Sequence, residues 1–176
     1  MQKKILNTPV KTIVHRGDSA YETTTKTRVG CRGIVIGNSK ILICHELNSE
    51  DYYLIPGGGL EKNESLVECC IREIQEETGY VVKPIRHFLT MKEYYEEYEY
   101  IGHYYICEVI GESQQKLTAL EAERGVTPEW ISPDKLLEIF SEYEKYAGTN
   151  EIKRRLYLRD FTALTEYLSE INSLSE

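Results

Sequence analysis

Two apolar runs stand out early in the chain. Residues 28–36 carry Val29, Cys31, Ile34 and Val35, and residues 40–46 carry Ile41-Leu42-Ile43-Cys44. Both read as β-strands, and Gly37-Asn38-Ser39 between them predicts a hairpin. The unbroken apolar run at 41–44 predicts a strand covered on both faces. Residues 11–15 and 23–27 are strand-like or linker segments, residues 48–51 form a polar loop, and residues 52–55 make a short strand before a glycine-rich turn. The period then changes from two to about 3.6. Ser65 and Glu68 stand at capping-box spacing, Val67, Cys70, Ile71 and Ile74 form an apolar stripe, and Gly79 is placed to end the helix in a left-handed conformation. Residues 80–86 and 102–110 read as strands, residues 111–128 as a loop, and Glu129-Trp130-Ile131 as a late strand. Ser132-Pro133-Asp134 starts a helix to about Phe140, with proline in the first turn. Thr149 or Asn150 caps a last helix over about 150–172, with Ile152, Leu156, Phe161, Leu164, Leu168 and Ile171 in helical period.

The helix after the glycine turn carries a second stripe. Glu73, Glu76 and Glu77 lie at i, i+3, i+4. Like charges so placed cost an isolated helix roughly 0.2–0.5 kcal/mol per pair. Arg72 points to one side of the trio and is expected to offset only part of this. A solvated acidic face is one reading; a divalent cation relieving the repulsion is the other. Oxygen-only ligands favour a hard ion, Mg²⁺ or Mn²⁺.

The spacing from Gly58 through Glu64, Arg72, Glu73, Ile74, Glu76, Glu77 and Gly79 to Tyr80 resembles the signature box of the Nudix hydrolases. Tyr80 departs from the more usual aliphatic residue. The box spans about an eighth of the chain, and Tyr53-Leu54-Ile55-Pro56-Gly57-Gly58 resembles the lead-in common in that family. The resemblance implies an α/β fold with a mixed β-sheet sandwiched between helices, built as one domain over residues 1–176. It implies Mg²⁺-dependent hydrolysis of a nucleoside diphosphate linked to another group. Glu73, Glu76 and Glu77 match the family's metal-binding and base positions, and the carbonyl of Gly57 is a further ligand in many members. Arg72 holds a glutamate in register through a bidentate pair, and Glu64 buttresses the loop. Some relatives draw another acid from the loop before the late strand, where Glu121, Glu123 and Glu129 are candidates; Glu123 is taken as the ligand. Many relatives form homodimers.

Composition narrows the classes. Hydrophobic residues make 41% and charged residues 28% of the 176, ordinary for a globular protein. No apolar run approaches the ~20 residues of a membrane span, and the N-terminus does not read as a secretory signal. A net charge of −8 argues against nucleic acid as the main partner. It leaves room for a small polyphosphate, because a bound metal supplies local positive charge. Cys31, Cys44, Cys69, Cys70 and Cys107 form no Cys-x-x-Cys pair and read as buried hydrophobes in a reducing cytoplasm. His15, His45, His87 and His103 show no ligand spacing.

Residues 94–105 hold tyrosines at 94, 95, 98, 100, 104 and 105. Strand packing is the plainer reading. The alternative is stacking of one or two on a nucleobase; Tyr95 and Tyr98 lie where dinucleoside polyphosphate hydrolases of the family often carry a tyrosine. Lys153-Arg154-Arg155 reads as a solvated basic cluster. Two rivals to the hydrolase reading remain: a domain that binds nucleotide without catalysis, and a hydrolase of capped or triphosphorylated RNA. The intact box glutamates oppose the first, and the acidic charge opposes the second.

Overall fold

A computed structural model describes residues 9–175. Eight strands form one mixed sheet: β1 (Lys11–Arg16), β2 (Lys26–Gly37), β3 (Lys40–Glu46), β4 (Tyr52–Leu54), β5 (Gly57–Gly59), β6 (Tyr80–Tyr95), β7 (Tyr98–Glu112) and β8 (Val126–Ile131). The main order is β1-β6-β7-β2-β3-β4, with β5 paired to β2 and β8 paired to β3. The pairs β1–β6 and β2–β7 are parallel and the others antiparallel. The described residues also form the helices α1 (Leu66–Thr78), α2 (Ala119–Arg124), α3 (Pro133–Ser141) and α4 (Glu151–Ser175), with a 3-10 turn at Glu142–Tyr146 between the last two. Helix α1 covers one face over a core that includes Cys31, Val35, Leu42, Cys70 and Ile74. On the other face, α3 and α4 enclose Ile34, Ile43, Leu89, Tyr104, Leu136 and Leu164. The expected sandwich is therefore present.

The β2–β3 hairpin closes through Asn38 and Ser39, at φ 49° and 61°. That is a two-residue turn whose twist matches the strands. All of β3 after Lys40 is buried, as the apolar run requires. Strand β2 then loses β3 as a neighbour, since their pairing covers only Ile36↔Ile41 and Gly37↔Lys40. The glycine strand β5 takes that place further back, at Gly30↔Gly59, Cys31↔Gly58 and Arg32↔Gly57. The split of β2 between two partners brings the turn after Pro56 under the start of α1.

Several boundaries differ from the sequence reading. Strand β6 runs nine residues past Arg86, to Tyr95. Two register shifts, at Pro84/Arg86 and His87/Leu89, each insert an extra residue of β6 and so break the period-two pattern in the middle of the strand, while the shift at Val81/Val82 has its extra residue on β7. Residues 94–101, for which the sequence allows a hairpin or a mobile loop, are the end of a β6–β7 hairpin, turning at Glu96 and Glu97. The stretch expected as a loop over 111–128 contains α2, with a capping box between Thr118 and Glu121. Six residues are too few to display helical period, although the Thr-x-x-Glu signal was there.

Helix α1 starts and stops as expected: Ser65 and Glu68 form the capping box, and Gly79 ends it at φ 76°. Its covered arc is rotated toward the acidic side, however. Val67 is exposed, while Cys69 joins Cys70, Ile74 and Thr78 in full burial. The glycine strand is the cause, since it packs against the side of α1 that carries Cys69 and Glu73.

Asn150 is the α4 cap, its Oδ1 accepting from the Lys153 N–H at 2.9 Å. The basic cluster behind it is not a solvated face. Lys153 is buried with its ammonium 4.9, 4.8 and 5.3 Å from the ring centres of Tyr52, Tyr146 and Tyr157, and it donates to the Glu50 carbonyl. Arg154 faces outward to Glu144 and Glu151, and Arg155 stacks on tyrosines of the sheet. Conversely Ile152, expected in the apolar stripe, is 62% exposed. All five cysteines are buried and unbridged. Among the described residues no helix is long and apolar enough to cross a membrane.

Candidate active site

Arg72 organises the box. Its Nε and Nη2 grip the Glu64 carboxylate at 2.7 and 2.9 Å, a bidentate pair. Its Nη1 bridges Glu73 at 2.8 Å and Glu76 at 3.2 Å, and its Nη2 also reaches the Gly59 carbonyl at 3.0 Å. The guanidinium therefore sits among the carboxylates rather than to one side, and the clamped partner is Glu64. Glu64 in turn accepts the Glu61 N–H, so it does buttress the loop. The Arg72 guanidinium holds the Glu64 carboxyl down at about 2.

Two of the three stripe glutamates meet the glycine turn directly. Glu77 Oε2 accepts the Gly57 N–H at 2.7 Å. The Glu73 carboxylate lies flat on Gly58, where a Cβ would come within 2.5 Å of its Cδ and 2.7 Å of its Oε1. Only a glycine there leaves room for it. Burial raises both carboxyls, Glu77 to about 7, against the Gly57 hydrogen bond and the Arg32 charge that pull it down. The Glu76 side chain is the most open of the three, at 36% exposure.

Two residues that the sequence reading did not single out fix the turn. Arg32 on β2 donates to the Gly57 carbonyl at 2.8 Å and the Ile55 carbonyl at 3.3 Å. Asp160 on α4, fully buried, accepts the Ile55 N–H at 2.9 Å and the Arg159 Nε at 2.8 Å. The available signals were a charged residue inside an apolar strand and a carboxylate within the core-facing side of an amphipathic helix; neither says what it binds.

The donor set suits a hard dication in kind. Carboxylate oxygens of Glu73 and Glu77 and the Gly57 carbonyl meet at the glycine turn, Glu76 is tied to them through Arg72, and cationic guanidinium groups already occupy this ground. Arg72 bridges two of the carboxylates, and Arg32 sits on the carbonyl. Burial raises the Glu73 and Glu77 carboxyls even with Arg72 and Arg32 pulling them down. Among the described residues, no three His, Cys, Asp or Glu side chains by themselves stand in a cation-enclosing group.

The structure does not bring Glu123 to the box. It is exposed on α2, with its carbonyl taken by the Asn48 side chain. Glu121, two residues earlier and so about 200° around the helix, is half-buried; its charge helps to raise Glu77. Glu129 is engaged by His45, which is held between the Glu129 and Asp51 carboxylates at 2.8 and 2.5 Å.

Tyr95 and Tyr98 line a cavity of about 620 Å³ between the sheet and the first turns of α4. It does not lie over the carboxylates. Tyr98 and Tyr100 pair with Lys26 and Arg28 of β2, whereas Gly57 pairs with Arg32. Arg28 and Arg32 are four residues of strand, ~13 Å, apart along β2, and the cavity lies on the α4 side of the sheet whereas the box glutamates ride on α1.

A family model described as NUDIX domain matches residues 26–156. Among solved structures, the chain resembles a NUDIX hydrolase from Nitrosomonas europaea at 23% identity and a TM-score of 0.52, over 78% of this chain and 90% of that one. It resembles a UDP-X diphosphatase at 20% identity and a TM-score of 0.58, over 86% of this chain and 66% of that one. A MutT protein from Methanosarcina mazei Go1 matches at 17% identity and a TM-score of 0.52, over 80% and 95% of the two chains. At such identities the likeness is one of fold.

Proposed function

Because the chain belongs to the NUDIX family, whose model spans residues 26–156, we propose that it is a pyrophosphohydrolase that cleaves a nucleoside diphosphate from a second moiety by attack of water on phosphorus. The observation that carries this is the seating of Glu73 on Gly58 and of Glu77 on the Gly57 N–H, with Arg72 bridging Glu73 and Glu76. Magnesium or manganese, held by Glu73, Glu76, Glu77 and the Gly57 carbonyl, would neutralise diphosphate oxygens and lower the pKa of a bound water. The box residues themselves position and orient. Arg72 keeps the glutamate side chains in register through Glu64, and a box carboxylate receives the proton of the attacking water. Arg32 and Asp160 hold the turn still, which matters because phosphoryl chemistry depends mainly on placement and charge. Tyr95 and Tyr98 supply rings on which the base rests.

Replacement of Glu76 and Glu77 by glutamine tests this reading. The double variant should fold and should lose Mg²⁺-dependent release of phosphate products across a panel of nucleotide sugars, ADP-ribose, dinucleoside polyphosphates and oxidised nucleoside triphosphates. Turnover that survives in the double variant removes these glutamates from the metal site.

A further inference from the structure

Two histidines that share no ligand spacing along the chain meet on the sheet. Three residues apart, His87 and Thr90 would point to opposite faces of a regular strand. The bulge at His87/Leu89 adds a residue of β6 between them, so both take the face that carries α1. His103 of β7 stands directly opposite Thr90, and Tyr105 stacks on the His87 ring at 5.0 Å and 27°. Three polar atoms then form a triangle. His103 Nδ1 lies 3.4 Å from His87 Nε2, and Thr90 Oγ1 lies 3.1 Å from His87 Nε2 and 3.4 Å from His103 Nδ1. All three residues are half-buried, which leaves the triangle within reach of solvent.

We propose that His87, His103 and Thr90 form a second metal site, for a transition-metal dication such as Zn²⁺ or Ni²⁺, completed by water. The separations favour a shared ion over a direct bond between the rings. Two nitrogens bound tetrahedrally at ~2.0–2.1 Å stand ~3.3–3.4 Å apart, whereas an N–H donor comes within ~2.7–3.2 Å of its acceptor. Burial lowers the pKa of both histidines, helped at His87 by the Arg86 charge and at His103 by His87. Both rings are therefore neutral at pH 7, the form in which imidazole binds a metal. The Leu89 carbonyl, 3.0 Å from His87 Nε2, accepts that nitrogen's proton in one tautomer; the other tautomer leaves Nε2 a lone pair for the ion. The site is distinct from the box in chemistry and in place. Imidazole suits Zn²⁺, Ni²⁺ and Cu²⁺, while Mg²⁺ takes oxygen. Gly58 pairs with Cys31 and Cys31 with His103, so two strand spacings, ~10 Å, separate the triangle from the glycine turn. The proposal does not rest on the pyrophosphohydrolase reading.

Isothermal titration of Zn²⁺ into the full chain without a histidine tag, in excess Mg²⁺, tests the assignment. Wild type and the Glu76→Gln/Glu77→Gln variant should both bind Zn²⁺. His103→Gln, placed in either background, should weaken that binding at least tenfold, since loss of a ligand costs no less than the roughly tenfold to hundredfold of losing a ligand's hydrogen-bond partner. Circular dichroism should show the variants folded. In wild type, where no substitution can disturb the fold, Zn²⁺ should shift the imidazole resonances of His87 and His103 and leave those of His15 and His45 in place. The site is overturned if the Glu76/Glu77 variant binds no Zn²⁺, if His103→Gln binds like its parent, or if Zn²⁺ moves the resonances of His15 or His45 instead. None of these readouts involves hydrolysis, so failure of the box reading and failure of this site are told apart.

Discussion

Gly58→Ala isolates the seat of one carboxylate. The added Cβ would meet Glu73 within 2.5–2.7 Å, below the 3.0 Å that real Cβ atoms observe. The clash falls on the far end of a flexible side chain, so the fold can yield by turning Glu73 away. What is then lost is the 2.8 Å pair between Glu73 and Arg72 Nη1. A charge-assisted hydrogen bond of this kind contributes about 1.5–3 kcal/mol. Arg72 keeps its grip on Glu64 and gains freedom toward Glu76, so the net cost should be nearer ~1–2 kcal/mol, a melting shift of roughly 2–8 °C for a chain of this size. Activity should suffer far more, since a misplacement of ~1 Å in a catalytic group can cost ~100-fold. Gly59→Ala is the matched control: no atom lies within 4 Å of its added Cβ. Steady-state hydrolysis of the best substrate and thermal melts on both variants are the measurements. If Gly58→Ala turns over as fast as Gly59→Ala, the packing of Glu73 on Gly58 has no part in the chemistry.

Other perturbations have defined outcomes. Asp160→Ala should cost about 3–5 kcal/mol in urea unfolding, because Arg159 loses its buried counter-ion and the Ile55 N–H its acceptor; Asp160→Asn, which keeps an acceptor, should cost less, and equal losses would refute the role of the hydrogen bond to Ile55. Burial opposes the charge on His45, yet Glu129 and Asp51 leave its pKa raised above the ordinary histidine value. A raised folded-state pKa contributes stability that is complete at pH below ~6.5 and fades as pH climbs through the folded value. Urea midpoints should therefore fall from pH 6 toward pH 8 in the wild type and fall less in His45→Gln; parallel curves would exclude the clamp as a source.

The box helix was legible because everything that defines it is local. Ser65 caps Glu68 three residues on, Gly79 ends the helix in a left-handed conformation, and the glutamate stripe follows from 3.6 residues per turn. Strand β3 was legible from an apolar run of four. Sequence reading faltered where local period carries no information. Two bulges in the middle of β6 hid its continuation to Tyr95, and α2 was too short to show a period. The rotation of α1 that buries Cys69 and frees Val67 depends on which strand lies beneath it, and only the split pairing of β2 decides that.

Sequence alone thus determined which residues could gather negative oxygen and that a glycine turn would stand before them. Tertiary structure decided which cations answer them. Arg32 finds Gly57 across 25 residues, Asp160 finds Ile55 across 105, and Arg155 reaches Tyr95 and Tyr100 from another layer of the fold. Contacts of that separation are set by sheet order and register, and no spacing along the chain encodes them.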